Sequence, residues 1–444
     1  MFYQIAFPFY LQSLRISSLR FIERCFVLVY KTSNFPELNL DHVCKILSSS
    51  ELYVTTEVEV IKAAEKWMEY KVDERIKFSK NLLLKIRFPL FSNGALPIVI
   101  SEDSYFYKDP DSAAMLKKII ENKNSFYQNK CGNYRVSRYC SQKSFNFLIS
   151  ESINKKIKNY LIEDKKLRVV KELGLLKAIT HLPKSVYCNG ALYFLNDTHG
   201  VIRSEVKRLR SIEKYCLTNN TWQSVCKKHD DRIKFSLCAL MDQVFIFGGC
   251  FNYPFDDATA TCLRLDTKSH EWSFVAEMSV ERYDSACVVF QESIVVSGGD
   301  DQEHPTDSVE AYDHVTGTWS PMPRMTKERS NHGLVVVKNK LYAIGGDFDD
   351  EYPTYTSEVY DSCSKMFVKI ANLPRNIYTD LYGCDTFASG NRIMCVNPKN
   401  PFYKVADMYY DVEKEKWFEF TSEMPEVKWF NPIFKVPQIY IDSS

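Results

Sequence analysis

The sequence predicts a multidomain protein, an all-α domain followed by an all-β propeller of six blades. Three observations carry that expectation. The C-terminal part repeats with a near-constant period, and the N-terminal part places apolar residues at helical spacing. The length, 444 residues, also exceeds what one ordinary core holds, so two or three domains are expected.

Three short apolar strands each end in a glycine pair: Val244-Phe245-Ile246-Phe247-Gly248-Gly249, Ile294-Val295-Val296-Ser297-Gly298-Gly299 and Leu341-Tyr342-Ala343-Ile344-Gly345-Gly346. The pairs lie 50 and 47 residues apart. A second signal follows each pair, a large apolar residue seven positions before another: Leu265 and Trp272, Tyr312 and Trp319, Tyr360 and Phe367. The same spacing recurs without glycines at Tyr215 and Trp222, at Tyr410 and Trp417, and faintly at Tyr160 and Leu167. From Tyr160 to Tyr410 the steps are 55, 50, 47, 48 and 50 residues, which makes six units. The clearest unit reads as four strands: Gly333 to Val337, Leu341 to Gly346, Ser357 to Tyr360 and Met366 to Ile370. Glycines suit the point where a strand leaves a crowded centre, because they permit positive φ and close backbone approach. The aromatics seven apart are expected to pack between neighbouring blades, since no blade buries its own faces. The faint first unit begins at Phe145 to Ile149, and Pro432 to Val436 is a spare strand expected to complete that blade and close the ring.

These residues resemble the Kelch repeat, a glycine-pair strand end followed by Tyr and Trp at this spacing; the period near 50 fits it better than the shorter WD40 unit. The resemblance covers roughly 140–444. Three units carry strong motifs, whereas Leu192 to Leu195 and Met394 to Asn397 stand where glycine pairs would be.

Upstream, Leu40, Val43, Ile46 and Leu47 share one helical face. Thr56-Glu-Val-Glu59 reads as a capping box ahead of Val60, Ala64, Trp67 and Met68. A third helix runs through Leu82, Leu83 and Ile86 and stops at Pro89. Phe21-Ile22, Phe26, Leu47-Ser48, Ser50-Glu51-Leu52, Glu57-Val58, Trp67 and Arg87-Phe88-Pro89-Leu90 resemble the BACK domain, which stands between BTB and Kelch in the Kelch-like family. The expected domains are therefore 1–16, a remnant of a missing upstream domain; 17–127, BACK-like; and 128–444, the Kelch propeller. In the family a BTB domain precedes BACK, and this sequence opens almost where BACK opens.

Composition narrows the function. Fifty-seven basic against 56 acidic residues leave a net charge of +1, which argues against a nucleic-acid binder. No apolar run reaches bilayer length, and Met1 to Leu14 lacks a basic leader and is broken by Pro8, so neither a membrane span nor a signal peptide is expected. Fourteen scattered cysteines without a CxxC pair read as free thiols in a reducing cytosol, and the chain is expected to be cytoplasmic. Eight isolated histidines form no metal-ligand pair, and there is no Walker loop, GxGxxG or GxSxG, so neither catalysis, a metal nor a cofactor is expected.

Binding loops remain. Those after the glycine pairs are acidic and aromatic: Phe251-Asn-Tyr-Pro-Phe-Asp-Asp257, Asp300-Asp-Gln-Glu-His-Pro-Thr-Asp307 and Asp347-Phe-Asp-Asp-Glu-Tyr-Pro-Thr-Tyr355. Tyr253, Asp256, Asp257, Asp300, Asp301, Glu303, Asp347, Asp349, Asp350 and Tyr352 suit a basic, partly apolar partner segment, although Asp and Pro are equally ordinary turn residues. Arg282, Tyr283, Arg329, Asn331, Arg375 and Asn376 mark the connections between blades, which share the substrate face in the Kelch-like family. Arginine there can pair with an acidic partner or with the neighbouring acidic loops of this same chain. The one dense basic run, Arg203 to Arg210, reads as a solvated loop.

The resemblance implies a protein-binding module, the substrate-recognition adaptor of a cullin-RING ubiquitin ligase, with actin binding or cytoskeletal scaffolding as the alternative. A cullin partner is weakened by the missing BTB domain, through which family members mainly reach it.

Overall fold

A computed structural model describes the chain apart from residues 1–17, 20, 24, 51, 53, 55, 92–93, 129–145, 152–155, 164–165, 176–182, 189, 197–210, 217–218, 220, 228, 252–256, 350–351, 354, 375–384, 390, 397–406, 423–432 and 436–444. It divides into a helical unit, Met1–Ser141 with the short turn Asp313–Thr316 grouped to it, and a β unit of Gln142–Tyr312 and Gly317–Ser444.

The helical unit holds α1 (Phe26–Lys31), α2 (Leu40–Ser48), α3 (Glu57–Glu69), α4 (Val72–Arg75), α5 (Ser79–Leu83), α6 (Leu96–Val99) and α7 (Pro110–Gln128). Asn39 starts α2 by accepting the His42 N–H at 2.9 Å. Thr56 starts α3 by accepting the Val58 N–H at 3.0 Å. Only half of the expected capping box forms, because Glu59 turns away to accept the Tyr30 hydroxyl. Val43, Ile46, Leu47, Val60, Ala64, Trp67 and Met68 are all buried, as their spacing requires. The third helix is shorter than expected: α5 ends at Leu83, Ile86 is buried beyond it, and Pro89 sits inside a 3-10 turn over Phe88–Leu90. Arg75 stacks 4.1 Å from the Trp67 ring and donates to the carbonyls of Pro36 and Trp67 at 2.7 Å each, tying α4 to α3.

The β unit is a propeller. It opens with β1 (Asn146–Glu151), β2 (Lys156–Glu163) and β3 (Lys166–Leu175), followed by the sheet β4 (Pro183–Cys188), β5 (Ala191–Asn196), β6 (Ser211–Cys216) and β7 (Thr221–Lys227). The next sheet is β8 (Ser236–Leu240), β9 (Gln243–Phe247), β10 (Cys262–Asp266) and β11 (Trp272–Val275). The sheet after it is β12 (Ala286–Phe290), β13 (Ser293–Ser297), β14 (Val309–Asp313) and β15 (Thr318–Met322). Then come β16 (Gly333–Val337), β17 (Lys340–Ile344), a ribbon of β18 (Asp347–Asp349) with β19 (Tyr352–Pro353), β20 (Ser357–Asp361) and β21 (Met366–Ile370). Last are β22 (Asp385–Ser389), β23 (Arg392–Val396), β24 (Asp407–Asp411), β25 (Lys416–Ser422) and β26 (Ile433–Lys435). β26 pairs antiparallel with β1, Ile433 opposite Ile149.

Among the described residues there are five sheets of four or more strands where the sequence predicts six blades. The difference lies at one junction. Thr421 and Ser422 of β25 pair in parallel with Lys166 and Leu167 of β3, so β22–β25 and β26, β1, β2 and β3 share one eight-stranded sheet.

Apolar packing lies between sheets. One cluster joins Tyr193 and Leu195 to Val244, Ile246 and Leu263; the next joins Phe245 and Phe247 to Ile294, Val296 and Tyr312. Others follow between β13 and β17 and between β17 and β23. Each fully buried Leu, Ile, Val or Phe there contributes about 1.5–3 kcal/mol, all of it dependent on the neighbouring sheet being present. The aromatics seven apart face each other across one hairpin: Tyr215 with Trp222, Tyr360 with Phe367 and Tyr410 with Trp417 are register partners, with ring centroids 5.0, 5.4 and 5.2 Å apart. The faint pair does not keep this register, since Tyr160 faces Val169 and Leu167 faces Ile162. No helix among the described residues is long and apolar enough to cross a membrane.

Candidate functional site

The first two glycine pairs each end a second strand and meet the connection into the next sheet. A Cβ on Gly248 would lie 2.2 Å from the Arg282 carbonyl oxygen, and one on Gly298 2.2 Å from that of Arg329. These glycines have φ of +61° and +57°, so both space and conformation exclude a side chain. What the close approach admits is a buried arginine. Arg282 donates to the carbonyls of Gly298 at 2.8 Å and Ser308 at 3.2 Å and ion-pairs with Glu310 at 2.7 Å. Arg329 donates to Gly345 at 2.7 Å and Thr356 at 3.0 Å and ion-pairs with Glu358. Arg232 donates to Gly248 at 3.1 Å and Thr261 at 2.9 Å but takes its acid, Asp230, from its own loop at 2.6 Å.

Arg282 and Arg329 therefore face inward rather than toward a partner, which corrects the more functional of the two roles open to them. Both side chains are fully buried. Burial pulls their pKa down and the adjacent carboxylate raises it, leaving cations held by their own blade. Glu310 and Glu358 also accept the N–H of Ser279 at 2.8 Å and of Thr326 at 2.6 Å, so each acid fixes the incoming connection as well. Sequence reading missed these two acids and Arg232. The signal was present: Arg232, Arg282 and Arg329 repeat at 50 and 47, with Glu310 and Glu358 following their arginines by 28 and 29 residues.

The connections and the acidic loops do meet. Tyr283 and Asp300 pair by two backbone hydrogen bonds of 3.0 and 2.9 Å, and Ile233 and Cys250 do the same at 2.8 and 2.9 Å. Burial, with the Asp300 carboxylate second, drives the Tyr283 hydroxyl far above its usual pKa, so it remains a neutral donor. Asp300 accepts the Gln302 N–H at 2.8 Å and Asp301 accepts those of Glu303 and His304 at 3.1 and 3.0 Å, which turns the loop tip outward. Asp257, Asp301 and Glu303 are exposed, Asp300 and Asn331 half-buried, and Tyr283 buried. Asp347 and Asp349 lie on the ribbon opposite Pro353 and Tyr352. Tyr253, Asp256, Asp350, Arg375 and Asn376, and the basic run 203–210, lie outside the described residues.

Below the loops, Lys234, Asp284 and Asn331 hold equivalent places with φ of 56°, 49° and 49°. The Asp284 N–H donates to the Lys234 carbonyl at 2.8 Å and the Asn331 N–H to that of Asp284 at 2.9 Å, a backbone relay from sheet to sheet. Lys234 and Asp284 ion-pair at 2.6 Å. Ser297 and His332 approach at 2.7 Å, but both are buried and the His332 Nδ1 has no partner, so this pair lacks the acid and the access of a catalytic dyad. No group of three or more metal-ligating side chains converges among the described residues.

The chain matches the family model BACK, "BTB And C-terminal Kelch", over residues 1–100. It matches the KLHDC2/KLHL20/DRC7 Kelch-repeats domain over 199–346 and 234–427. Among curated proteins it is 23% identical to Kelch-like protein 7 of Gallus gallus over 347 residues, covering 73% of this chain and 55% of that one. It is 22% identical to Kelch-like protein 36 of Rattus norvegicus over 354 residues, covering 76% and 56%. It is 21% identical to Kelch repeat and BTB domain-containing protein 2 of Homo sapiens over 438 residues, covering 91% and 67%. The chain thus spans about half the length of the first two relatives. Latched glycine-pair blades, a BACK match and these relatives lead to one conclusion: the chain belongs to the Kelch-like family.

Proposed function

We propose that the chain is a non-enzymatic protein-binding module, the substrate-recognition adaptor of a cullin-RING ubiquitin ligase, which holds its substrate on the acidic loops of the propeller. The observation that carries this reading is the sorting of charge. Arg282 and Arg329 are consumed by Glu310 and Glu358 inside the blades, while Asp257, Asp301 and Glu303 stay exposed outside. A face built this way attracts a basic segment, with the exposed Phe251 as apolar contact. In this reading residues 17–127 are the BACK-like domain, 128–444 the propeller, and the protein is cytoplasmic. The eight-stranded sheet counts as two blades, six in all. Support for six comes from the first strands, which touch in a cycle of β26, β4, β8, β12, β16, β22 and back to β26.

The test is affinity purification of the tagged chain from cell lysate with mass spectrometry, beside a variant carrying Asp300→Ala, Asp301→Ala, Asp349→Ala and Asp350→Ala. A cullin in both samples, with a defined substrate lost from the variant, is the expected result. Actin or other cytoskeletal proteins recovered without a cullin would move the reading to a scaffold.

A further inference from the structure

We propose that Cys238 and Cys287 form a redox-modifiable pair that closes to a disulfide across two neighbouring sheets. Strand alignment places them. β8 and β12 are the first strands of adjacent sheets and lie against each other. Ser236 opens β8 and Ser285 immediately precedes β12. The Ser236 hydroxyl donates to the Ser285 carbonyl at 2.7 Å, and the two Oγ atoms are 2.5 Å apart. Side chains return to the same face every second residue, so two steps along each strand Cys238 and Cys287 come together. Both thiols pack in the apolar cluster with Leu240, Phe245 and Phe247, the Cys238 sulfur near enough to act on the Cys287 proton.

The environment suits a thiol pair that stays reduced at rest. The neighbouring Cys238 sulfur, and then burial, hold the Cys287 thiol protonated well above its ordinary range. Cys287 is half-buried and Cys238 buried, so a small oxidant reaches Cys287 first. With a peroxide, the Cys287 sulfur takes one oxygen to become a sulfenic acid, and the first water leaves. The Cys238 sulfur then displaces the hydroxyl as a second water while the S–S bond forms. Two S–H bonds and the O–O bond break, and two electrons pass from sulfur to the peroxide. The product covalently joins two blades that are otherwise held by packing, hydrogen bonds and the Lys234–Asp284 ion pair.

Treating the reduced full chain with hydrogen peroxide, alkylating the remaining thiols and mapping peptides tests this. The expected result is a Cys238–Cys287 linked peptide that dithiothreitol removes, that forms faster as pH rises, and that is at least tenfold less abundant when the chain is oxidised in urea. The thermal midpoint of the oxidised wild type should rise on the order of 5 °C, and that of Cys287→Ser should not. No linked peptide after prolonged peroxide, or equal yield from the unfolded chain, would overturn the proposal; both readings come from the wild-type chain and survive any folding defect in the variant.

Discussion

At the scale of single residues, the buried arginines decide most. Glu358 is wholly enclosed beside Arg329, whereas Asp230, the partner of Arg232, keeps 19% of its side chain exposed. Arg329→Ala strands a carboxylate without a counter-charge and should cost about 3–5 kcal/mol. Arg232→Ala leaves an acid that water can reach and should cost distinctly less; urea unfolding of the two variants measures the difference. Gly298→Ala should cost at least about 2 kcal/mol, because its Cβ meets the Arg329 carbonyl at a positive φ. Sequence made the glycine pairs legible through their period, but not the arginine role. An arginine beside tyrosine or Ser-Asn in a loop looks the same whether it points out or in, and its acid lies nearly thirty residues away on a strand. His332 adds a pH dependence. Burial first, and then the Arg329 and Arg282 cations, push its pKa well below 6.5. The folded protein keeps it neutral while the unfolded chain binds a proton as pH falls through about 6.5, so its stabilising share is complete above that pH and is lost below it. Thermal midpoints between pH 7.5 and 5 should fall, and less steeply in His332→Gln.

At the scale of elements, the caps and staples matter. Thr56→Ala should cost the helical unit about 1 kcal/mol, since the Val58 amide loses its acceptor at the start of α3. Helical positions were readable because one apolar stripe answers to one buried face. The Glu59 half of the capping box was not, because Tyr30 competes for that carboxylate from 29 residues away. In the propeller, Trp319 Nε1 donates to the Ala276 carbonyl at 2.7 Å and Trp417 Nε1 to that of Ala371 at 2.8 Å, each reaching the preceding sheet. The seven-residue motif announced a hairpin pair but concealed this second function. Trp319→Phe keeps the ring and removes the donor, and a loss of about 0.5–1.5 kcal/mol in chemical denaturation is expected. Phe367 already fills that place without a donor.

At the scale of the whole molecule, the β unit stabilises as a ring, since its apolar clusters lie between sheets rather than within them. The period was visible in the sequence, whereas the parallel pairing of β25 with β3 was not, because it rests on the local approach of two outer strands. The central claim is that a partner docks on the exposed carboxylates. Zero-length carbodiimide crosslinking of the purified chain with its captured partner tests it most directly, because it joins only carboxylates and amines in contact. The account predicts crosslinks from Asp257, Asp301 or Glu303 to lysines of the partner. Crosslinks confined to the helical unit or to the edge strands β11 and β21 would contradict it.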